Sequence, residues 1–201
     1  LPLWVFGELA DEIHEQEAIA FDEPILMFAH TVARQGFDDF FVLMSHLGYE
    51  WGVVPFDIAF VLVLGVLRKY REAVFAAIAL GGSALLNIGA KLFFARDRPS
   101  LWESIAPETT YSFPSGHAMG SMTLACVLVM LAWHTRWRWV VTALMAPFVV
   151  LVGLSRVYLG VHYPSDILAG WAVATAWVAA VYLSVYRVHG RPWKARPPAS
   201  G

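Results

Sequence analysis

Five apolar runs, each close to the length of a bilayer-crossing helix, constrain this chain more than any other feature of its sequence. They cover approximately residues 52–67, 73–93, 118–133, 139–154 and 164–186. A hydrocarbon core about 30 Å thick takes roughly 20 apolar residues of helix, and the backbone polar groups within it must be satisfied inside the segment. None of the runs alternates with period two as a barrel strand would, so all five read as helices. The predicted fold class is all-α, a polytopic membrane helix bundle with five transmembrane helices. Composition agrees, since 58% apolar residues, 15% charged residues and nine tryptophans in 201 residues leave too little polar surface for a water-soluble domain. A formal net charge of −2 gives no electrostatic case for a nucleic-acid partner. The single cysteine, Cys126, lies inside the third run and reads as a small packing residue; no intrachain disulfide is available to it.

The flanks differ in character. Residues 1–51 form an acidic region, with ten of the sixteen carboxylates of the chain between residues 8 and 50. From 24 to 47, Ile25, Phe28, Val32, Val42 and His46 fall near one stripe interrupted by polar side chains, which suggests a helix lying in the interface rather than spanning. The opening "LPLWVFGEL" reads as the tail of a longer apolar segment, a sixth helix starting ahead of Leu1, and that alternative stays open. Residues 52–187 make the transmembrane helix bundle. Residues 188–201, polar and proline-rich, read as a disordered cytoplasmic tail. Nine of the fourteen basic residues (Arg68, Lys69, Arg71, Arg136, Arg138, Arg187, Arg191, Lys194 and Arg196) fall in the links and tail that the helix count puts on one side. That side is expected to be cytoplasmic. Lys91, Arg96, Arg98 and Arg156 fall on the other side, against this bias, and require a separate reason.

The reason lies in three polar clusters at helix ends on that outer face: "KLFFARDRP" (91–99), "SFPSGH" (112–117) and "SRVYLGVHYPSD" (155–166). Lys91 and Arg98 are two helical turns apart and point the same way on a continuing helix, and Arg156 adds a third cation. A guanidinium offers a planar fork to phosphate oxygens, and a lysine offers a point charge. Ser115 and Gly116 open an apolar helix, where free N–H groups and the helix dipole attract an anion and glycine admits it closely. His117, at the same place, can give a proton to a departing oxygen. His162 precedes Asp166 by four positions; the carboxylate fixes the imidazole tautomer and leaves the other nitrogen to attack phosphorus. Asn87, one turn before Lys91, either orients that lysine or bonds between helices. Arg96 and Asp97 pair with each other or with headgroups, and Glu103 and Glu108 face water or shape the pocket mouth.

These residues match K-x6-R-P (Lys91, Arg98, Pro99), P-S-G-H (114–117) and S-R-x5-H-x3-D (Ser155, Arg156, His162, Asp166) without a substitution. The chain therefore resembles the type 2 phosphatidic acid phosphatase superfamily, membrane lipid phosphatases that share an active site with vanadium haloperoxidases. The resemblance implies a phosphohistidine on His162, leaving-group protonation by His117, and phosphate binding by Lys91, Arg98, Ser115, Gly116 and Arg156. It implies no metal and no cofactor. The implied substrate is a lipid phosphate in the bilayer, with undecaprenyl diphosphate and phosphatidylglycerol phosphate first and phosphatidic acid next. The implied location is the bacterial inner membrane with the site facing outward. A lipid phosphotransferase and a non-catalytic membrane scaffold or transporter remain as alternatives. Zinc held by His117, His162 and Asp166 is disfavoured, because three cations aimed at one point repel a divalent metal.

Overall fold

The computed structural model describes residues 1–15 and 17–189; the expected tail of 188–201 falls almost wholly outside the described residues. Among them the chain forms eight helices and no strand: α1 Pro2–His14, α2 Asp22–Thr31, α3 Gln35–Leu47, α4 Val53–Val66, α5 Tyr70–Phe94, α6 Gly116–Ala132, α7 Arg138–Tyr158 and α8 Pro164–His189. Helices α5, α7 and α8, of 25, 21 and 26 residues, are long and apolar enough to cross a bilayer. The expectation of five such helices stands only in part, because α4 and α6 are apolar but have 14 and 17 residues. At 1.5 Å per residue they extend about 21 and 26 Å, short of a ~30 Å core.

Helix α6 is central and packs against α5, α7 and α8. Phe75, Ala76 and Ala79 of α5, Val127 of α6 and Val178 of α8 are buried without solvent contact. Polar bonds join the helices within this core: Ser83 Oγ lies 2.7 Å from Thr123 Oγ1, and the Trp177 indole donates to the Ala79 carbonyl at 2.9 Å. In lipid such bonds hold helices together where burial of apolar surface contributes little. Large side chains face outward around the bundle, Val66, Leu85, Leu92 and Phe93 among them, as suits a hydrocarbon surround.

The acidic region is not one interfacial helix over 24–47. Arg34 is extended (φ −162°, ψ 153°) and separates α2 from α3. Tyr158 at the end of α7 holds this break, its hydroxyl accepting from the Arg34 N–H at 3.1 Å and donating to Asp38 at 2.6 Å. Helix α1 packs on α8 and α5, α2 on α7 and α8, and α3 on α7. The region thus closes over the bundle end where α5 and α7 finish and α6 and α8 begin.

Two glycines make that end possible. Gly160, at φ +69°, turns the chain after α7 against the Trp102 indole, where a Cβ would lie 2.5 Å from the ring. At Gly170 of α8 a Cβ would lie 3.1 Å from the Ser115 carbonyl oxygen and 3.2 Å from the Met119 nitrogen, so α8 and the start of α6 meet nearly backbone to backbone.

Candidate active site

The first turn of α8 builds the His162–Asp166 pair. Pro164 opens the helix with no N–H to satisfy, and Asp166 reaches back to accept the Tyr163 N–H at 2.9 Å, one half of a capping box. The same oxygen, Oδ2, accepts from the Ser112 hydroxyl and lies 3.2 Å from His162 Nδ1. His162 Nε2 lies 3.1 Å from Arg98 Nη1. Arginine can only donate, so Nε2 is the acceptor and the ring proton sits on Nδ1 facing Asp166. The Nε2 lone pair of His162 therefore points into the cations. Both side chains are fully buried. Burial, then the charges of Arg98, Arg156 and Lys91, holds the His162 pKa well below the ordinary imidazole value, with Glu108 opposing in part.

Glu108 occupies the middle of those cations. It takes Arg98 Nη2 at 2.6 Å and Arg156 Nη2, and one oxygen lies 3.8 Å from His117 Nδ1. Burial alone would raise its pKa, but Arg156, His162, Arg98 and Lys91 hold the carboxyl below its ordinary value. Arg98 also donates from Nε to the Thr110 carbonyl at 2.6 Å and from Nη1 to the Val161 carbonyl at 2.7 Å. Burial lowers its pKa, with Glu108 and Asp166 opposing. Arg156 is 1% exposed and donates to Ser45 of α3, and its buried Nε has no partner among the described residues. The two guanidinium groups thus share one carboxylate, an arrangement suited to anionic oxygens, and a buried guanidinium N–H remains unpaired among the described residues.

His117, at the start of α6, lies against Tyr49 with ring centroids 5.0 Å apart and the planes tilted by 32°. Lys91 lines the same cavity of about 400 Å³ as His117, Gly116 and Glu108. Its ammonium turns to the Tyr111 carbonyl and, at 3.4 Å, to Thr110 Oγ1, so it faces the cluster without touching it. Ser115 caps α6 by accepting the Ala118 N–H, and its own N–H donates to the Asp166 carbonyl at 3.2 Å. This ties the second cluster to the third and leaves the Gly116 and His117 N–H groups available to an anion. Asn87 does not orient Lys91; it donates to the Pro114 carbonyl at 3.0 Å and so braces this turn.

Three other expectations are corrected. Helix α5 ends at Phe94, and Ala95 is left-handed (φ 45°), so Arg98 converges with Lys91 from a loop, not along a continuing helix. Arg96 does not pair with Asp97: it binds Asp22 at 2.9 Å and Asp166 at 2.6 Å. Glu108 lies at the centre of the cationic cluster, not simply at the pocket mouth. Sequence reasoning also passed over Asp22, Ser45 and Ser112. The one available signal was Glu108 itself, an acid between two cationic motifs.

Known proteins resemble this chain. Residues 72–189 match the PAP2 superfamily. The chain is 30% identical to phosphatidylglycerophosphatase B of Bacillus subtilis over 82% of its length and 83% of that protein's. It is 33% identical to an undecaprenyl-diphosphatase of Sulfolobus acidocaldarius over 72% of its length and 67% of that protein's. The crystal structure of a transmembrane PAP2-type phosphatidylglycerolphosphate phosphatase from Bacillus subtilis superimposes with a TM-score of 0.81 at 25% identity, covering 96% of this chain and 98% of that one. Three bilayer-length apolar helices, a cation cluster around one carboxylate and this likeness lead to one assignment: the chain is an integral membrane protein and belongs to the PAP2 superfamily of phosphatases.

Proposed function

We propose that the protein hydrolyses a phosphate monoester or diphosphate on a membrane lipid by way of a phosphohistidine, without metal or cofactor, at the outer face of the membrane. The observation that carries this reading is the position of His162 Nε2, deprotonated by the logic of its two partners and directed at Arg98. Phosphate displaces the Glu108 carboxylate and takes up Arg98, Arg156 with its open Nε, the Gly116 and His117 N–H groups, Lys91 and the Ser115 hydroxyl. Nε2 then attacks phosphorus, the bond to the lipid oxygen breaks, and His117 gives that oxygen a proton. In the second half, His117 takes a proton from water as the water oxygen attacks phosphorus. The P–N bond breaks, and inorganic phosphate leaves.

Undecaprenyl diphosphate and phosphatidylglycerol phosphate are the first substrates to test, and both relatives named above support them; phosphatidic acid follows. The test is phosphate release from these three lipids by purified protein, with a His162 variant as control. Release from none of them overturns the reading.

Leaving-group chemistry isolates His117. The His117→Ala protein is expected to lose about 10²–10⁴-fold on a lipid alkoxide. With p-nitrophenyl phosphate, whose leaving oxygen needs little protonation, a burst of one nitrophenolate per site should persist ahead of slow turnover. Equal loss of the burst and of lipid turnover would remove His117 from the acid role.

The pH dependence follows from His162. The attacking imidazole must be neutral, and its pKa is lowered, so raising pH switches the rate on at lower pH than an unperturbed histidine would. Corrected for the second ionisation of the substrate, the acid limb of kcat/KM should lie below the usual imidazole range. Arg98→Gln, which removes a repelling cation, should move that limb upward. An acid limb at the ordinary value in the parent would contradict the cluster of Arg98, Arg156 and Lys91 around this ring.

A further inference from the structure

Asp22 belongs to α2, outside the spanning bundle and outside all three motifs, yet it is only 3% exposed. Its Oδ1 accepts the Ser165 N–H at 2.9 Å, and Oδ2 accepts the Ser165 hydroxyl at 2.5 Å and Arg96 Nη2 at 2.9 Å. A carboxylate from 143 residues away thus caps the first turn of α8, the turn that carries Asp166. Arg96 spans the remaining gap. Its Nη1 donates to Asp166 Oδ1 at 2.6 Å and to Ser165 Oγ at 2.8 Å, and its plane lies over the Tyr163 ring at 4.0 Å. Residues 163, 165 and 166 of the nucleophile turn are therefore all held by this one pair.

We propose that Asp22 and Arg96 are positioning residues that fix the Asp166 carboxylate and, through it, the His162 imidazole in its attacking orientation. This rests on the phosphohistidine reading above. The two Asp166 oxygens have separate tasks. Oδ2 serves His162, Tyr163 and Ser112, and Oδ1 serves Arg96 alone among the side chains around it. Without Arg96 nothing holds Oδ1, and the carboxylate is free to turn about its Cβ–Cγ bond, taking Oδ2 off the Nδ1 proton. Without Asp22, the Arg96 fork loses the partner that divides it, and both its nitrogens can close on Asp166 in a bidentate pair that competes with the imidazole. The split of one guanidinium between two carboxylates keeps Asp166 paired yet still able to accept from His162. Burial works against the charge of Arg96, but Asp166 and Asp22 more than offset it and hold its pKa above the ordinary value. The amino-terminal region is in this way part of the reacting assembly.

The test uses the full purified chain and dioctanoyl phosphatidate, with inorganic phosphate as inhibitor. Asp22→Asn and Arg96→Gln should each lower kcat about 10–100-fold, as loss of an orienting partner does elsewhere. KM and the phosphate inhibition constant should stay within about threefold, because Arg98, Arg156 and Lys91 are untouched. The double variant should be no worse than the poorer single one, since the two act as a unit. Arg96→Lys, which keeps charge but cannot bridge two carboxylates, should remain about tenfold or more below the parent. The inference is overturned if kcat is unchanged in Asp22→Asn, if Arg96→Lys equals the parent, if the losses multiply, or if KM and the phosphate constant rise in step with the fall in kcat. If Asp22→Asn does not fold, Arg96→Gln decides by the same criteria; failure of both to fold makes the pair structural and also overturns it. A parent inactive on every lipid phosphate removes the functional reading itself, whereas an active parent with unaffected variants removes only this pairing.

Discussion

The His162→Ala protein is expected to release no phosphate above background, a loss of at least about 10⁴-fold in kcat, as when a nucleophile is removed from a site whose members act together. The size of the effect follows from position. In the proposed mechanism His162 supplies the attacking lone pair, and no neighbouring side chain takes its place: Arg98 and Arg156 are donors, and the Glu108 carboxylate is the group that phosphate displaces. The fold should survive the change. Asp166 Oδ2 keeps Ser112 and the Tyr163 N–H, and Oδ1 keeps Arg96, so no buried carboxylate oxygen is orphaned. The check is paired: steady-state phosphate release, and rapid quench with a lipid labelled at phosphorus. The parent should trap an acid-labile, base-stable phosphoprotein and the variant none. A variant that retains more than about one part in a hundred of the parent rate would place the nucleophile elsewhere.

Arg156→Ala should lower kcat/KM by about two to four orders of magnitude. Removing one donor aimed at a developing oxyanion costs about 10²–10³-fold in rate, and weaker phosphate binding adds to this in kcat/KM. Arg156 is almost wholly enclosed, ties α3 to the site through Ser45, shares Glu108 with Arg98, and keeps a buried Nε with no partner among the described residues. Alanine removes all of this and leaves Glu108 with less compensating charge. Arg156→Lys restores a charge but not the fork and should recover no more than about tenfold. The inhibition constant for inorganic phosphate should rise along with KM, which distinguishes loss of the cradle from loss of the nucleophile. An alanine variant with ordinary phosphate affinity would show that the anion binds away from this guanidinium.

The parts of the site legible in the sequence were those set by short-range spacing. His162 and Asp166 are four residues apart across a helix start, so their pairing follows from helix geometry. Ser115 and Gly116 open α6 for equally local reasons. The bundle was legible because apolar runs in a bilayer have one backbone solution, although length limits two of the five, α4 and α6. What could not be read depends on paths through the loop from 95 to 115 and the region before α4. Ala95 turns left-handed and sends Arg96 and Arg98 to different partners, a reversal that no side-chain pattern announces. Glu108 reads as a residue facing water or shaping the pocket mouth because nothing local reveals that its loop folds inward. Asp22 and Ser45 reach the site from 143 and 111 residues away, and nothing in their own surroundings marks them.

The contact at Gly170 bears on how this chemistry keeps its dimensions. In the proposed mechanism the proton donor rides on the first residues of one helix and the attacking ring on the turn leading into another. Where these helices meet, the gap is set by main-chain atoms facing a lone hydrogen rather than by interlocking side chains that change rotamer with temperature. The spacing of the two imidazoles therefore rests on a main-chain contact, and any side chain at position 170 would force these two helix starts apart.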